Sequence, residues 1–364
     1  MIRIGFDARW YNKSGVGTYV SDLLQCLGSV DDDGFEIIAY EPPDNPVPVN
    51  SPKIHKRPIT GGKYSPRGQI ELAWLCRRDR IDVLHAPFYI VPMLAPCPVV
   101  ATVHDLIAFL FPIYGTIHIE TVKMGYRAAC WKSARIITVS DTTANDLNSI
   151  LHVPREKIVR IYNAYSKTAY NDVPDPGERE HLRQRYGIEG DYVLTLSAEN
   201  WRTKNLSVAL RAMALAESRS PLPFQSVIAG PENGYRATGL SGTIKNAVLT
   251  GFVPKEDLPR LYRNASAFLT VSLYEGFGIP LVEAMACGCP CIVSKGGSLP
   301  EVAGHAAPSY ECDDVGGMAD AILRVLAHRE YSQQLRESGL RRAAEFSYSI
   351  MAKETLHVYR ELAK

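Results

Sequence analysis

The sequence predicts an α/β protein with two doubly wound domains that face each other across a central cleft. Its 364 residues exceed the ~100 to 200 residues usual for a single domain. Short apolar runs rich in Val and Ile alternate with amphipathic stretches for most of the length, which is typical of a parallel sheet with crossover helices. A polar segment with two prolines, residues 163–177, interrupts this alternation and predicts a linker between the domains.

The first domain is predicted over residues 1–165. Strands are predicted at 2–8, 35–40, 82–86, 98–104, 135–140 and 157–162. Helices are predicted between them at 17–28, 65–78, 115–133 and 141–151. This alternation favours parallel strands that are joined by crossover helices.

The second domain is predicted over residues 178–345, where the alternation resumes. Strands are predicted at 192–198, 225–230, 247–252, 267–272 and 290–294. Helices are predicted at 204–218, 255–265, 280–288, 314–328 and 330–345. A last helix at 349–363, within residues 346–364, is expected to cross back to the first domain. Ligands of such sheets bind beyond the carboxyl ends of the strands, so the cleft is the expected site.

The composition is that of a folded globular protein and excludes several classes. A net charge of +1 and a pI near 7.6 give no reason to expect nucleic-acid binding, which draws on a positive footprint. No apolar run approaches the ~20 residues of a membrane-spanning helix. The opening residues 1–8 read as a buried strand and not as a secretory signal. We therefore expect a cytoplasmic protein.

The cysteines predict neither disulfides nor a metal site. None of the eight forms a C-x-x-C pair, and disulfides are rare in long cytosolic chains. Cys287, Cys289 and Cys291 alternate, but alternate positions of a strand face one way, and structural zinc sites favour wider ligand spacing. We expect these three side chains to pack in the core.

Two turns between a strand and a helix carry residues that suit a bound anion. Gly15 and Gly17 follow the first strand, allow close backbone approach, and precede a helix with free N–H groups. In the stretch 199–205, Arg202 and Lys204 lie at a helix start, where a bound diphosphate would explain two cations. On spacing alone, ordinary glycine turns and solvated surface cations remain alternatives.

Two further stretches place carboxylates and a histidine near strand ends. Glu275 and Glu283 are separated by a glycine-bearing loop and a helix start, with Pro280 at a first helical position and Glu283 within the first turn, so they can contact different parts of one ligand. Alternatively, Glu275 caps the loop and Glu283 is favourable near the helix N-terminus. His104 ends an apolar strand and is expected at the cleft rim, with a buried core histidine as the alternative.

Together these stretches resemble the retaining family 4 glycosyltransferases of the GT-B fold, which has two Rossmann-like domains. The resemblance covers essentially the whole chain. Its most specific part is the E-x7-E pattern from Glu275 to Glu283, within Glu-Gly-Phe-Gly-Ile-Pro-Leu-Val-Glu-Ala-Met-Ala-Cys-Gly. The opening residues 7–9 with Gly15 and Gly17 are similar to members often associated with mannosyl transfer.

The resemblance implies a role for each of these residues. Arg202 and Lys204 would hold the donor diphosphate in place of a metal. Glu283 would accept the ribose hydroxyls, Glu275 would lie near the donor sugar, and His104 would lie near the sugar's reactive face. Gly15 and Gly17 would let the first domain close over the diphosphate and acceptor. Further expected substrate-binding residues are Asp105, Asn205, Phe277, Gly278, Ile279, Pro280 and Leu281.

The implied activity is retaining, metal-independent hexosyl transfer. The donor would be a nucleotide diphosphate sugar of the GDP or UDP type, with mannose or glucose favoured, and no cofactor is expected. The acceptor would be a hydroxyl of a glycan, a lipid-linked glycan or a small molecule, selected by the loops 9–14, 60–68 and 109–120. Alternatives are a catalytically silent nucleotide-sugar or glycan-binding subunit, or an epimerase or hydrolase on the same fold. Ser197-Ala198 departs from the Gly-Arg that the family often has ahead of its lysine.

Residues 51–80 carry eight Lys or Arg against two Asp or Glu, which is a local balance of +6. This balance suits anionic lipid at the inner membrane face or a phosphorylated acceptor. A solvated basic face is the alternative.

Overall fold

The computed structural model describes residues 1–11, 15–111, 116–198 and 200–363, without the side chains of residues 116–118. The chain divides into two compact units, Met1–Ala164 with Ser347–Lys364, and Tyr165–Phe346. Parts of the loops 9–14 and 109–120, and Glu199 at the start of its stretch, lie outside the described residues.

The first unit contains a parallel sheet of seven strands. They are β1 (Ile2–Asp7), β2 (Phe35–Glu41), β3 (Ile54–Pro58), β4 (Val83–Ala86), β5 (Val99–Val103), β6 (Arg135–Thr138) and β7 (Ile158–Arg160). Their order in the sheet is β3-β2-β1-β4-β5-β6-β7. The strand order therefore reverses between β1 and β4, which is where a doubly wound sheet opens a crevice at its carboxyl edge.

Helices cover both faces of this sheet. They are α1 (Gly15–Gly28), α2 (Pro66–Arg78), α3 (Ile107–Leu110), α4 (Thr116–Lys132), α5 (Asp141–Leu151) and α14 (Tyr348–Leu362), with short 3-10 helices at Ala8–Trp10 and Arg155–Lys157. On one face α1 packs against α14, and Leu23 and Leu356 belong to the same core. On the other face Leu72 of α2 and Tyr126 of α4 share a second core. The last helix thus belongs to the first unit.

The second unit contains a parallel sheet of six strands. They are β8 (Tyr192–Leu196), β9 (Gln225–Ala229), β10 (Ala247–Gly251), β11 (Ala267–Thr270), β12 (Cys291–Ser294) and β13 (Ser309–Tyr310). Their order is β10-β9-β8-β11-β12-β13, so the reversal falls between β8 and β11. The helices are α6 (Glu178–Tyr186), α7 (Leu206–Arg219), α8 (Glu232–Ala237), α9 (Leu258–Asn264), α10 (Ile279–Ala286), α11 (Leu299–Ala303), α12 (Val315–Ala327) and α13 (Arg329–Ala344).

The apolar pattern does not predict six of these elements, namely β3, β13, α3, α6, α8 and α11, and the reason is clearest for β3 and α6. Only Ile54 of β3 is buried, because β3 is an edge strand held to β2 by main-chain pairing. In α6 the buried residues are Leu182 and Glu178, and the Glu178 carboxylate accepts a hydrogen bond from Arg263 Nε at 2.9 Å. Apolar periodicity does not reveal these two elements, because main-chain pairing with β2 holds β3 and the ion pair of Glu178 with Arg263 holds α6.

The alternating cysteines lie in the core of the second unit. Cys287, Cys289 and Cys291 are buried, and the Cys291 thiol faces the Cys289 carbonyl oxygen at 3.3 Å. Within the described ranges, no group of three or more His, Cys, Asp or Glu side chains is arranged to hold a metal ion. None of the helices described combines the length and hydropathy that a membrane-spanning helix requires.

Candidate active site

Lys204 and Glu275 meet at the carboxyl edge of the second sheet. Lys204 lies in the turn between β8 and α7, and Glu275 lies in the loop between β11 and α10. Because β8 and β11 are neighbours at the strand reversal, the two turns lie side by side. Lys204 Nζ is 2.5 Å from Glu275 Oε1, and both side chains remain partly exposed. The pair therefore presents a cation and a carboxylate together where a doubly wound sheet binds its ligands.

Ser272 fixes one oxygen of this carboxylate. Its buried hydroxyl donates to Glu275 Oε1 at 2.6 Å, so that oxygen accepts from both Ser272 and Lys204. Among the described residues, no side chain or main-chain N–H donates to the other oxygen, Oε2. Oε2 is thus the oxygen left for a ligand hydroxyl.

Main-chain contacts hold the two turns in place. Leu273 N donates to the Thr203 carbonyl oxygen at 2.8 Å, which ties the Glu275 loop to the Lys204 turn. The main-chain N–H and the hydroxyl of Ser298 both donate to the Glu275 carbonyl oxygen at 3.0 Å. This approach requires Gly297, whose φ is +59° and at which a Cβ would lie 2.5 Å from that oxygen.

Helix α10 begins one residue earlier than the sequence predicts. Gly278, with φ +92°, caps the helix, so Pro280 is its second residue and Glu283 lies beyond the first turn. The prediction that Glu283 belongs to the first turn is wrong, because the left-handed Gly278 already ends the loop. Ile279, Pro280 and Glu283 are half-buried on one side of α10, as their three- and four-residue spacing requires.

Some of the predicted substrate-binding residues of this loop line a cavity, whereas Phe277 does not. A cavity of 230 Å³ at the strand ends is lined in part by Thr195, Lys204, Glu275, Gly278, Pro280 and Leu281. Phe277 does not line it, because its buried ring packs edge-on against Phe346 with centroids 5.4 Å apart. Phe277 therefore supports the loop from beneath.

Arg202 and Asn205 are placed differently from Lys204. Helix α7 begins at Leu206, so Arg202 and Lys204 both lie in the turn before the helix and not at the predicted helix start at 204. The exposed Arg202 guanidinium lies 4.9 Å from the Trp201 ring centroid and makes no ion pair with a described carboxylate. Asn205 donates to the Cys312 carbonyl oxygen at 2.6 Å, which commits its amide NH2 to a structural contact.

His104 lies just beyond β5 in the first unit, at the carboxyl edge of that sheet. Its Nε2 is 2.9 Å from the Pro87 carbonyl oxygen, which can only accept, so Nε2 carries the proton. Burial lowers the His104 pKa to about 4, so the ring is neutral at pH 7. Its Nδ1 is then a hydrogen-bond acceptor, and no described residue donates to it. The residue as a whole is half-buried and is therefore not a fully buried core histidine.

The remaining predicted residues of the first unit lie near helix starts. Asp105 Oδ1 accepts from Ile107 N at 3.0 Å at the start of α3. Gly15 is the first residue of α1 and Gly17 its third, so both belong to the first helical turn and not to a preceding loop. They therefore lie at the positive end of the helix dipole, which favours an anion.

Sequence reasoning missed Ser272, Gly297 and Ser298 as parts of the site. Ser272 follows an apolar strand by two residues and precedes Glu275 by three, which is a usable signal for a side chain at the carboxyl edge. Gly297 and Ser298 are more than 20 residues from Glu275 in sequence. No local pattern could pair them with it.

Comparisons with known proteins agree with this architecture. Residues 13–167 match the family model Glycosyltransferase Family 4, and residues 178–342 match the family model Glycosyl transferases group 1. The chain is 29% identical over 300 residues to the O-antigen chain mannosyltransferase B of Escherichia coli, which covers 80% of this chain and 77% of that protein.

Solved structures show the same fold across the whole chain. Sucrose-phosphate synthase from Thermosynechococcus elongatus matches with a TM-score of 0.79 and 19% identity, over 100% of this chain and 99% of that one. Anabaena HepE, solved in complex with UDP and glucose, matches with a TM-score of 0.74 and 16% identity, over 100% of both chains. With both halves matched by glycosyltransferase models, the chain belongs to the family 4 glycosyltransferases and has their GT-B fold.

Proposed function

We propose that this glycosyltransferase is a retaining, metal-independent hexosyltransferase that uses a nucleotide diphosphate sugar. The observation that carries the proposal is the Lys204–Glu275 pair, which lines a cavity beside the start of α10. An ammonium beside a leaving diphosphate stabilises the negative charge that develops as the glycosidic bond breaks. The neighbouring carboxylate suits the hydroxyls and positive anomeric centre of a sugar.

In the proposed reaction, the bond between the sugar C1 and the diphosphate oxygen breaks with its electron pair on that oxygen. Lys204 neutralises the leaving group, and Arg202 would do so once its side chain leaves Trp201. The acceptor hydroxyl bonds to C1, and its proton passes to the departing phosphate, so no protein base is required. Glu275 Oε2 accepts from a sugar hydroxyl, and Glu283 accepts from the ribose.

His104 suits the recognition of a sugar hydroxyl. Its Nε2–H is held by Pro87, and its depressed pKa keeps Nδ1 unprotonated, so Nδ1 accepts a hydrogen bond at neutral pH. The helix start at Gly15 and Gly17 suits the diphosphate, because the positive end of a helix dipole favours an anion. Both assignments rest on the resemblance of this chain to its family.

The relatives leave two donors to compare. The E. coli relative is named a mannosyltransferase, whereas the Anabaena structure holds UDP and glucose. The first test is thermal unfolding with UDP, GDP, ADP and their hexose conjugates, because a ligand at ~100 times its Kd adds ~2.7 kcal/mol. A single responding nucleotide names the donor type.

The second test is transfer from the responding donor to a panel of glycan and lipid-linked acceptors. We expect product with the donor's anomeric configuration, by NMR, and an unchanged rate in excess EDTA. An inverted product contradicts retention, and loss of activity with EDTA that Mg²⁺ or Mn²⁺ restores contradicts metal independence. Nucleotide binding without turnover would identify a silent binding subunit, and donor conversion without an added acceptor would identify an epimerase or hydrolase.

Ser272→Ala is expected to lower kcat by about tenfold, because a hydrogen bond to a charged group stabilises by about 1.5–3 kcal/mol. The KM for the donor should change less, since the diphosphate contact belongs to Lys204. Ser266→Ala is the matched control: Ser266 also donates to a carboxylate, Asp191 Oδ1 at 2.9 Å, but this hydrogen bond is exposed and does not involve Glu275. Steady-state kinetics of both variants test the prediction, and equal kcat values would contradict it.

We also propose contact with an anionic membrane, through the outer side of α2. Arg67, Ile70, Trp74 and Arg77 share this exposed side at three- and four-residue spacing. Another basic residue of the segment 51–80 is engaged within the fold, since Lys56 Nζ donates to the Val47 carbonyl oxygen at 2.6 Å. A solvent-facing tryptophan with arginines beside it suits the headgroup region of a membrane.

Arg77→Glu is expected to weaken binding to phosphatidylglycerol vesicles by about tenfold or more, since each basic residue near such a surface stabilises by about 1 kcal/mol. Trp74→Ala should weaken it as well. Cosedimentation at low salt is the measurement. Arg236→Glu, a reversal of an exposed charge in the second unit, is the control and should bind as the wild type does. Absence of binding by the wild type would remove the proposal.

A further inference from the structure

The loop between β3 and α2 is fixed rigidly at the carboxyl edge of the first sheet. The buried Arg9 guanidinium pairs with Asp7, with Nε 2.7 Å from Oδ1 and Nη2 2.8 Å from Oδ2. Its Nη1 also donates to the carbonyl oxygens of Gly61 and Gly68, each at 3.1 Å. Glu71 Oε2 accepts from Gly61 N at 2.8 Å. The loop is therefore clamped to the end of β1, and the residues that follow Gly61 are held in place.

Two of those residues, Lys63 and Tyr64, lie against aromatic rings. The Tyr64 ring meets the buried Trp10 edge-on, with centroids 5.4 Å apart, and is itself 67% exposed. Lys63 Nζ lies 4.4 Å from the Trp10 centroid and 5.8 Å from that of Tyr64. Trp10 also packs against Phe88, with centroids 4.4 Å apart.

The Lys63 ammonium is half-buried, and no carboxylate of the described residues lies within ion-pair distance of it. Burial lowers its pKa. A desolvated donor group beside exposed aromatic surface is costly unless something accepts from it. The Lys63 ammonium and the exposed Tyr64 ring suit a ligand that brings hydrogen-bond acceptors together with an apolar face.

The aromatic cluster extends towards the predicted site residue of this unit. The ring centroids of Phe88 and His104 are 6.3 Å apart, so neighbouring rings lead from His104 through Phe88 and Trp10 to Tyr64. All four residues follow carboxyl ends of parallel strands. A ligand bound on Tyr64 would therefore lie on the same edge of the sheet as His104.

We propose that Lys63, Tyr64 and Phe88 form a subsite that holds a pyranose ring of the acceptor glycan. The C–H face of a pyranose packs on an aromatic ring, and its hydroxyl oxygens accept from an ammonium. One sugar ring can therefore contact both the Tyr64 ring and the Lys63 ammonium. The inference rests on the proposed function, because it concerns the acceptor of that same transfer. The proposed subsite restricts the acceptors to molecules that carry a sugar ring close to the hydroxyl that receives the hexose.

Saturation-transfer NMR with mannobiose and maltose tests the subsite without catalysis. Tyr64→Ala is expected to weaken sugar binding by about fivefold or more, which is the range of aromatic stacking contributions, and Lys63→Met should also weaken it. Tyr64→Phe, which keeps the ring, should bind as the wild type does. The matched control is Trp131→Ala, which removes another ring of this unit that is 76% exposed.

Calorimetry with GDP and UDP on the same samples separates this inference from the proposed function. Nucleotide affinity should be unchanged in Tyr64→Ala. Equal sugar binding in the wild type and Tyr64→Ala, or no sugar binding by the wild type, overturns the subsite even where nucleotide binds. If sugar binding depends on Tyr64 but neither nucleotide binds, the subsite stands and the proposed function fails.

Discussion

Lys204→Ala is expected to lower the transfer rate by about two to three orders of magnitude, the usual effect of removing one group that stabilises a developing anion. The variant loses the cation proposed to contact the leaving diphosphate. It also leaves Glu275 Oε1 with Ser272 as its remaining hydrogen-bond donor among the described residues. Affinity for the nucleotide diphosphate should fall too, since the product carries the same charge. Steady-state kinetics and calorimetry measure the two effects.

Two further variants show whether the effect is specific to Lys204. Arg219→Ala removes an exposed cation from the end of α7, where it pairs with Asp320 at 3.1 Å, and should leave both measurements unchanged. Glu275→Gln keeps the hydrogen-bond geometry but removes the negative charge, and should lower turnover more than nucleotide affinity. Wild-type turnover and affinity in Lys204→Ala would refute the assignment of this lysine.

Acid is expected to destabilise the first unit through His85, which lies inside it. The ring Nδ1 is 2.5 Å from the Tyr359 hydroxyl, and Nε2 is 2.8 Å from Thr102 Oγ1, which also contacts the Tyr19 hydroxyl at 2.9 Å. Burial lowers the His85 pKa from 6.5 to about 3. Between about pH 3 and pH 6.5, His85 is therefore protonated in the unfolded chain but not in the folded chain. The stabilisation by neutral His85 is complete above pH 6.5 and is lost as the pH falls towards 3.

His85→Gln should reduce the dependence of the unfolding free energy on pH by about 1.4 kcal/mol per unit below pH 6, the value for one proton. Urea unfolding at pH 7.5, 6.0 and 5.0 measures it. Three of the four tryptophans, Trp10, Trp74 and Trp131, belong to the first unit, so a Trp201→Phe background confines tryptophan fluorescence to that unit. Parallel profiles for the parent and the His85→Gln variant would show that His85 does not titrate in this range.

The fold was predictable because its main signal is repetitive. Buried parallel strands are apolar along their length, and this pattern gave most strands and the division near residues 163–177. It could not give β3, of which a single side chain is buried, or the start of α10, which a positive φ at Gly278 determines. Exact element ends depend on backbone geometry and tertiary contacts that apolar spacing does not encode.

The site was predictable only in part, for a different reason. Motif spacing and resemblance selected Lys204 and Glu275, and the structure brings these two together. The same reasoning also assigned Arg202 to the diphosphate, with less support than Lys204, and its guanidinium lies against Trp201. It also selected Phe277, whose ring is in the core. A motif names residues that lie near a ligand, but it does not say which way each side chain points.

The placement of α14 in the first unit also determines which unit is completed last during synthesis. The second unit is one continuous stretch, Tyr165–Phe346, so the ribosome delivers all of it before any of Ser347–Lys364. Until that last segment emerges, α1 lacks the helix that covers it, and His85 lacks the Tyr359 hydroxyl. The unit that is synthesised first is therefore the unit that is completed last.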